Sequence, residues 1–270
     1  MKSNPNINKQ GYIYGKWMGK DDTWTISFGN VYCYLLVGTE KALLIDTAYG
    51  EGNLRMFVEE ITDKPVIVTN THGHFDHTGG NPWWDEAWMS EESSKDAKVA
   101  FGDEMQKRFD TMPYPDYTIN FIDENTVFNL GGGRMVRVVP IPAHHLGSVA
   151  FIDSASRYLF TGDELEAGQV LMFLSDEDQS NRIAMHKTNM EKLISLENLY
   201  DAVCPAHNGT PINKKYIYDF LELDKQLLAN TQIIMPTLAG FGFPPVLDGT
   251  GPFSGDIKRA QYSGASICYK

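Results

Sequence analysis

Six consecutive residues, His72-Gly73-His74-Phe75-Asp76-His77, carry three histidines and a carboxylate. Neutral imidazole and carboxylate oxygen are good ligands for zinc and neighbouring divalent metals. His72 and His74 alternate along the chain and can serve one metal, and Asp76 and His77 can serve a second beside it. A single histidine here would read as a polar surface residue. Four ligand-type side chains at this spacing point to a metal centre.

The neighbouring elements must hold these side chains at a strand end. Pro65-Val66-Ile67-Val68-Thr69 is apolar and β-branched, which predicts a buried strand immediately before the cluster. Gly73, Gly79 and Gly80 then interrupt regular structure, so the ligands fall on a loop whose tight turns send side chains in different directions.

Three later motifs each follow an apolar run. They are Pro142-Ala143-His144-His145-Leu146-Gly147-Ser148, Leu159-Phe160-Thr161-Gly162-Asp163 and Cys204-Pro205-Ala206-His207-Asn208-Gly209. Together with His-x-His-x-Asp-His, and in this order, they resemble the metallo-β-lactamase fold superfamily over about residues 30 to 210. The resemblance implies an α+β fold, an αββα sandwich of two mixed β-sheets flanked by helices. It implies two divalent metal ions, zinc first and manganese or iron as alternatives. One metal would take His72, His74 and His144, the other Asp76, His77 and His207, with Asp163 bridging them. A hydroxide shared by two such cations is a nucleophile near neutral pH, and Asp76 would orient it or carry a proton. Asp163 stands where dizinc β-lactamases use a cysteine, which is similar to the glyoxalase and lactonase side of the superfamily. His207 is followed by Asn208-Gly209-Thr210 and not by the Glu-Tyr-Thr of glyoxalase II, a departure at that enzyme's glutathione contacts.

Other residues have open roles. Asp46 closes a strand in Ile-Asp-Thr and either braces the metal loops or is a plain turn aspartate. His145 stands where the family often has Thr or Ser; it either meets substrate or a ligand's partner, or only turns the loop. His186 lies in a polar helical stretch and is expected on the solvated surface. Trp83, Trp84 and Trp88 follow the metal loop closely, and Met172 and Phe173 follow Asp163. They can wall an apolar substrate pocket or belong to the core.

The activity implied is a metal-dependent hydrolase acting on a small ester, thioester, lactone or related carbonyl. One alternative is a mononuclear non-haem iron dioxygenase acting on a persulfide, since such relatives keep the same first motif. A small-molecule phosphodiesterase is a second, and a non-catalytic metal-binding protein a third. The formal charge of −12 disfavours nucleic acid or an anionic membrane surface as partner. Three widely spaced cysteines among 270 residues exclude a disulfide framework. The first ten residues lack an apolar signal core and no run is long enough to span a bilayer. The expectation is a cytoplasmic protein with a small-molecule substrate.

Strands are expected at residues 12–14, 24–28, 31–37, 42–45, 126–130, 134–141, 148–153, 157–162 and 202–205. Helices are expected over 51–62, 91–111, 181–199 and 214–230. Residues 1–230 make one domain, and 231–270, rich in glycine and proline, form an arm or lid packed on it or a homodimer contact.

Overall fold

The computed structural model describes residues 15–50, 52–98, 117–173, 178–235 and 257–270. The strand expected at 12–14, most of the helix expected over 91–111, and the glycine-rich part of the tail lie outside the described residues.

An antiparallel meander starts the chain: β1 (Gly15–Met18), β2 (Thr23–Phe28), β3 (Val31–Val37) and β4 (Ala42–Ile45). Helix α1 (Leu54–Glu59) then carries the chain across to β5 (Val66–Thr69), parallel to β4. After the short helix α2 (Phe75–Thr78), strands β6 (Glu86–Met89) and β7 (Thr118–Phe121) extend the sheet in parallel. The second sheet begins with β8 (Val127–Asn129), β9 (Met135–Pro140), β10 (Val149–Asp153) and β11 (Tyr158–Gly162), all antiparallel. A short strand β12 (Val170–Leu171) and helix α3 (Gln179–Ser195) intervene before β13 (Ala202–Pro205), which joins β11 in parallel, and β14 (Ile212–Asn213) closes that edge. Helix α4 (Lys215–Leu228) leads to β15 (Ile234–Met235), β16 (Lys258–Tyr262) and β17 (Ala265–Tyr269).

Burial follows the two-residue period of a strand. Tyr34 and Leu36 of β3 with Leu43 and Ile45 of β4 pack against Val138, Phe151 and Phe160 of the other sheet. The alternate residues Cys33, Leu35 and Leu44 face outward and are covered by Leu54, Phe57 and Val58 of α1. Both faces of these strands are therefore buried, which is why they read as continuous apolar runs. On the far side, Ile183, Met190 and Leu193 of α3 and Ile217, Phe220 and Leu223 of α4 cover the second sheet. This is the αββα sandwich expected from the sequence.

Part of the tail is described. Residues 258–269 form a hairpin around Ser263-Gly264 with Ser263 at φ 52, and Ala260, Ala265 and Ile267 enter the core beside α4. Strand β17 pairs in parallel with β12, so the described residues include a third, four-stranded sheet that the sequence reading did not anticipate. The Ser-Gly pair between two alternating segments is the signal that was there to be read.

Candidate metal centre

The ligand-type residues gather because parallel strands end together. Asp46, His72, Asp163 and His207 follow the C-terminal ends of β4, β5, β11 and β13, and His144 follows that of β9. β4 pairs in parallel with β5 and β11 with β13, so these ends lie at one rim of the sandwich. Two glycines let the loops approach. A Cβ on Gly79 would lie 2.4 Å from the Tyr49 backbone. Gly162, in the left-handed region at φ 56, sits at a bulge where a Cβ would lie 2.6 Å from Thr71 Oγ1.

Three ring nitrogens converge first. His74 Nδ1 lies 2.9 Å from His72 Nε2 and 3.1 Å from His144 Nε2. A tetrahedral zinc with Zn–N bonds of about 2.0–2.1 Å holds its nitrogens roughly 3.3 Å apart, so this triad is close to the spacing a cation needs. A second group, Asp76, His77 and His207, also brings its ligand atoms within 4.8 Å of one another. His77 Nε2 is 3.6 Å from Asp76 Oδ1, and His207 Nε2 is 3.4 Å from Asp76 Oδ2.

Asp163 stands between the groups. Its Oδ1 is 3.3 Å from His77 Nε2 and 3.4 Å from His207 Nε2, while its Oδ2 is 3.6 Å from His144 Nε2. His77 Nε2 and Asp163 Oδ1 are buried and have no hydrogen-bond partner. Buried polar atoms left this way are costly, and a cation between them would satisfy both. The donor set of imidazoles and carboxylates fits zinc or a neighbouring divalent metal.

The second nitrogen of most of these rings is tied to the protein. His77 Nδ1 donates to Asp46 Oδ2 at 2.9 Å, His144 Nδ1 to Leu171 O at 2.8 Å, and His207 Nδ1 to Asn30 O at 2.7 Å. His72 Nδ1 lies 3.1 Å from Thr71 Oγ1, which itself donates to Asp46 Oδ2. Each bond leaves Nε2 free to face the centre. Asp46, at φ 62, also accepts from Thr71 N at 2.7 Å. Of its two readings, the bracing role is the one its contacts fill.

Charge divides the two groups. Burial pushes His72 and His74 well down and His144 to about 4, so these rings are neutral. At His77 and His207 burial pulls the same way, but the carboxylates of Asp163 and Asp76 outweigh it. His77 rises well above its ordinary value and His207 rises to about 10. Burial raises Asp76 and Asp163, but the rings of His77 and His207 prevail, bringing Asp76 to about 2 and Asp163 lower still.

The remaining candidates fall elsewhere. His145 is buried; its Nε2 donates to Asp96 Oδ2 at 2.8 Å and its Nδ1 accepts from Gly147 N at 2.9 Å. It is a brace between two loops, beyond the mere turn residue. Trp84 packs in the core under the first sheet with Trp83 against it, and Trp88 stands edge-on to Phe128 at 6.2 Å. Trp84 also borders a surface groove with Arg55, Val58 and Pro65 that includes none of the histidines. Trp84, Met172 and Phe173 are buried, and Trp83 and Trp88 are partly buried against the core, because the sheets have two faces to fill beside the loops.

His186 corrects its reading outright. It is fully buried between Asp224, whose oxygens lie 2.9 and 3.0 Å from Nδ1, and the Glu164 carbonyl, to which Nε2 donates at 2.8 Å. Thr188, two residues on, is exposed on the other side of α3. Glu164, Arg182 and Asp224 were missed with it, although Arg182, His186 and Asn189 at helical spacing beside Ile183, Met190 and Leu193 mark an inward polar stripe.

Comparison with known proteins agrees with this geometry. Residues 26–211 match the profile of the metallo-beta-lactamase superfamily. A human protein named acyl-coenzyme A thioesterase MBLAC2 is 25% identical over 213 residues, 66% of this chain and 72% of that protein. A hydroxyacylglutathione hydrolase from Synechococcus sp. is 33% identical over 139 residues, covering 51% of this chain and 50% of that one. Among solved structures, a metallo-beta-lactamase from Pontibacter korlensis aligns over 78% of this chain and 99% of its own at 18% identity and a TM-score of 0.59, a likeness of fold. With the profile covering most of the chain and the ligand motifs converging at one rim, the chain belongs to the metallo-β-lactamase superfamily.

Proposed function

We propose that this chain is a metal-dependent hydrolase of small acyl thioesters that holds two divalent cations, zinc or alternatively manganese or iron. The observation that carries the reading is Asp163, whose two carboxylate oxygens face different histidine groups while its buried Oδ1 and His77 Nε2 make no hydrogen bond. His72, His74 and His144 would hold one cation, and Asp76, His77 and His207 the other. Cations there supply Lewis acidity to a carbonyl oxygen and lower the pKa of water towards about 7.

The chain's own residues do the rest. Asp46 and the carbonyls of Leu171 and Asn30 keep His77, His144 and His207 in the tautomer that presents Nε2. Asp76 would orient the attacking water or carry its proton to the leaving thiolate. The choice of thioester over lactone or plain ester is supported by the human and cyanobacterial relatives, whose names both describe thioester cleavage. Cys33, Cys204 and Cys268 are free thiols, which suits the reducing cytoplasm.

The test is a panel of acyl-coenzyme A and acylglutathione thioesters, lactones, aryl esters, β-lactams and bis-aryl phosphodiesters under one metal condition. The best thioester should exceed every other class in kcat/KM by tenfold or more, about 1.4 kcal/mol of transition-state preference. A phosphodiester or β-lactam at the head of the panel would overturn the reading.

A further inference from the structure

Helix α3 turns two stripes inward. Ile183, Met190 and Leu193 enter the apolar core. Beside them run Arg182, His186, Asn189 and Lys192, spaced by four, three and three residues, which keeps them on one face. The first three are buried. Every one of the four donates to a backbone carbonyl of the segments that carry His144 and Asp163. Lys192 Nζ reaches Pro140 O at 2.7 Å and Asn189 Nδ2 reaches Pro142 O at 2.8 Å. Arg182 Nη1 spans Ala143 O and His144 O. His186 Nε2 donates to Glu164 O at 2.8 Å, with Asp224 of α4 behind its other nitrogen.

Glu164 closes the circuit. Its Oε1 accepts from Ala143 N at 3.0 Å and His145 N at 3.3 Å. The residue after Asp163 thus grips both neighbours of His144. The His144 loop runs outside any strand, so its carbonyls have no ladder to join, and the helix side chains satisfy them.

A helix serving stability alone would bury leucines here. Burying a guanidinium and an imidazole–carboxylate pair carries a desolvation penalty of several kcal/mol per ion. What these groups provide that leucines cannot is direction: donors at fixed points that hold one loop in one conformation.

We propose that this stripe is a positioning device, in which Arg182 and the His186–Asp224 pair set where His144 and Asp163 point and so tune the metal centre without touching substrate. The inference rests on the metal reading above. His186→Leu and Arg182→Met keep an apolar fit to the core and remove the donors; His186→Gln retains a donor that can reach Glu164 O. Three quantities would be measured: zinc affinity by competition with a chelating dye, kcat and KM on the best thioester, and melting of the metal-free protein.

The expected result for His186→Leu and Arg182→Met is zinc affinity weakened about tenfold to a hundredfold, the range for groups that orient ligands. kcat should fall while KM stays within about twofold, since no substrate contact is lost. His186→Gln should recover part of both, and Thr188→Ala, on the exposed side of the same helix, should behave as wild type. Folded leucine and methionine variants with wild-type zinc affinity and kcat would overturn the inference alone. If those two variants do not fold, Asn189→Leu and Lys192→Met supply the same readouts with the same expected directions. A wild-type chain that binds no divalent metal would overturn the metal reading and this inference with it.

Discussion

His72, His77 and His144 at the strand ends and His186 in the middle of α3 are all buried, and they differ in where their nitrogens go. His72, His77 and His144 each tie one nitrogen to the protein and turn the other to a shared centre. His186 has both nitrogens engaged, by Asp224 and the Glu164 carbonyl. Burial therefore does not mark a metal ligand. An unspent nitrogen facing other unspent donors does, because a buried polar atom without a partner is tolerated only where something else binds it. His145 belongs with His186 by this criterion, since Asp96 and Gly147 occupy both of its nitrogens.

The largest test of this division is Asp163→Ala. Removing the carboxylate that faces both groups should lower kcat/KM by about three orders of magnitude, roughly 4 kcal/mol, with circular dichroism unchanged and less metal per chain by elemental analysis. Asp76→Ala should act similarly on rate. A folded Asp163 variant retaining two metals and the wild-type rate would place the bridge elsewhere.

Next in size is Asp46→Asn. The side chain still reaches His77 but loses the charge that accepts from Thr71 and from the imidazole together. Zinc affinity or kcat should fall by about tenfold to a hundredfold. Wild-type values for both would reduce Asp46 to a turn residue.

Asp96→Asn should matter far less. Its carboxylate is half exposed, and such pairs contribute about 1 kcal/mol or less. The expected readout is a small drop in melting temperature with zinc affinity kept, and a hundredfold loss of affinity would move His145 into the ligand set.

A separate test is a pH trend on stability. Burial lowers His186, but Asp224 outweighs it and the ring is held at about 9, above its ordinary 6.5. A folded pKa above the unfolded one stabilises fully below about 6.5 and is lost as pH rises through about 9. The stability gap between wild type and His186→Gln in urea titrations should therefore narrow from pH 6.5 to 9.5. A gap that widens would mean the buried ring is neutral.

Much of this was legible in the chain. The strands at 31–37, 42–45 and 148–153 are apolar runs bounded by turn residues, and the helix at 214–230 has a clean apolar face. Seven ligand-type residues fell in motifs whose order alone implied the superfamily. The C-terminal hairpin was obscured because its strands are short, its outward residues polar, and its partner β12 lies 97 positions upstream of Ile267 in register with Val170.

Residue type and local spacing were enough to point to a metal centre at residues 72–77, because such a centre needs donors of particular chemistry and a loop able to splay them, while His144, Asp163 and His207 came from the resemblance to the superfamily. Type and spacing were also enough for the sheets, since period-two and period-3.6 burial are local signals. They could not decide which histidine is spent. His186 and His144 both sit beside polar residues, and only packing brings Asp224 and the Glu164 carbonyl to one and leaves Nε2 of the other unmatched against Asp163. Nor could they sort tryptophans between pocket and core, because an aromatic ring is suited to either and the side of the sheet it faces is set by strands distant in sequence. A hydrogen bond is a contact between chosen partners, and the choice is made by tertiary structure.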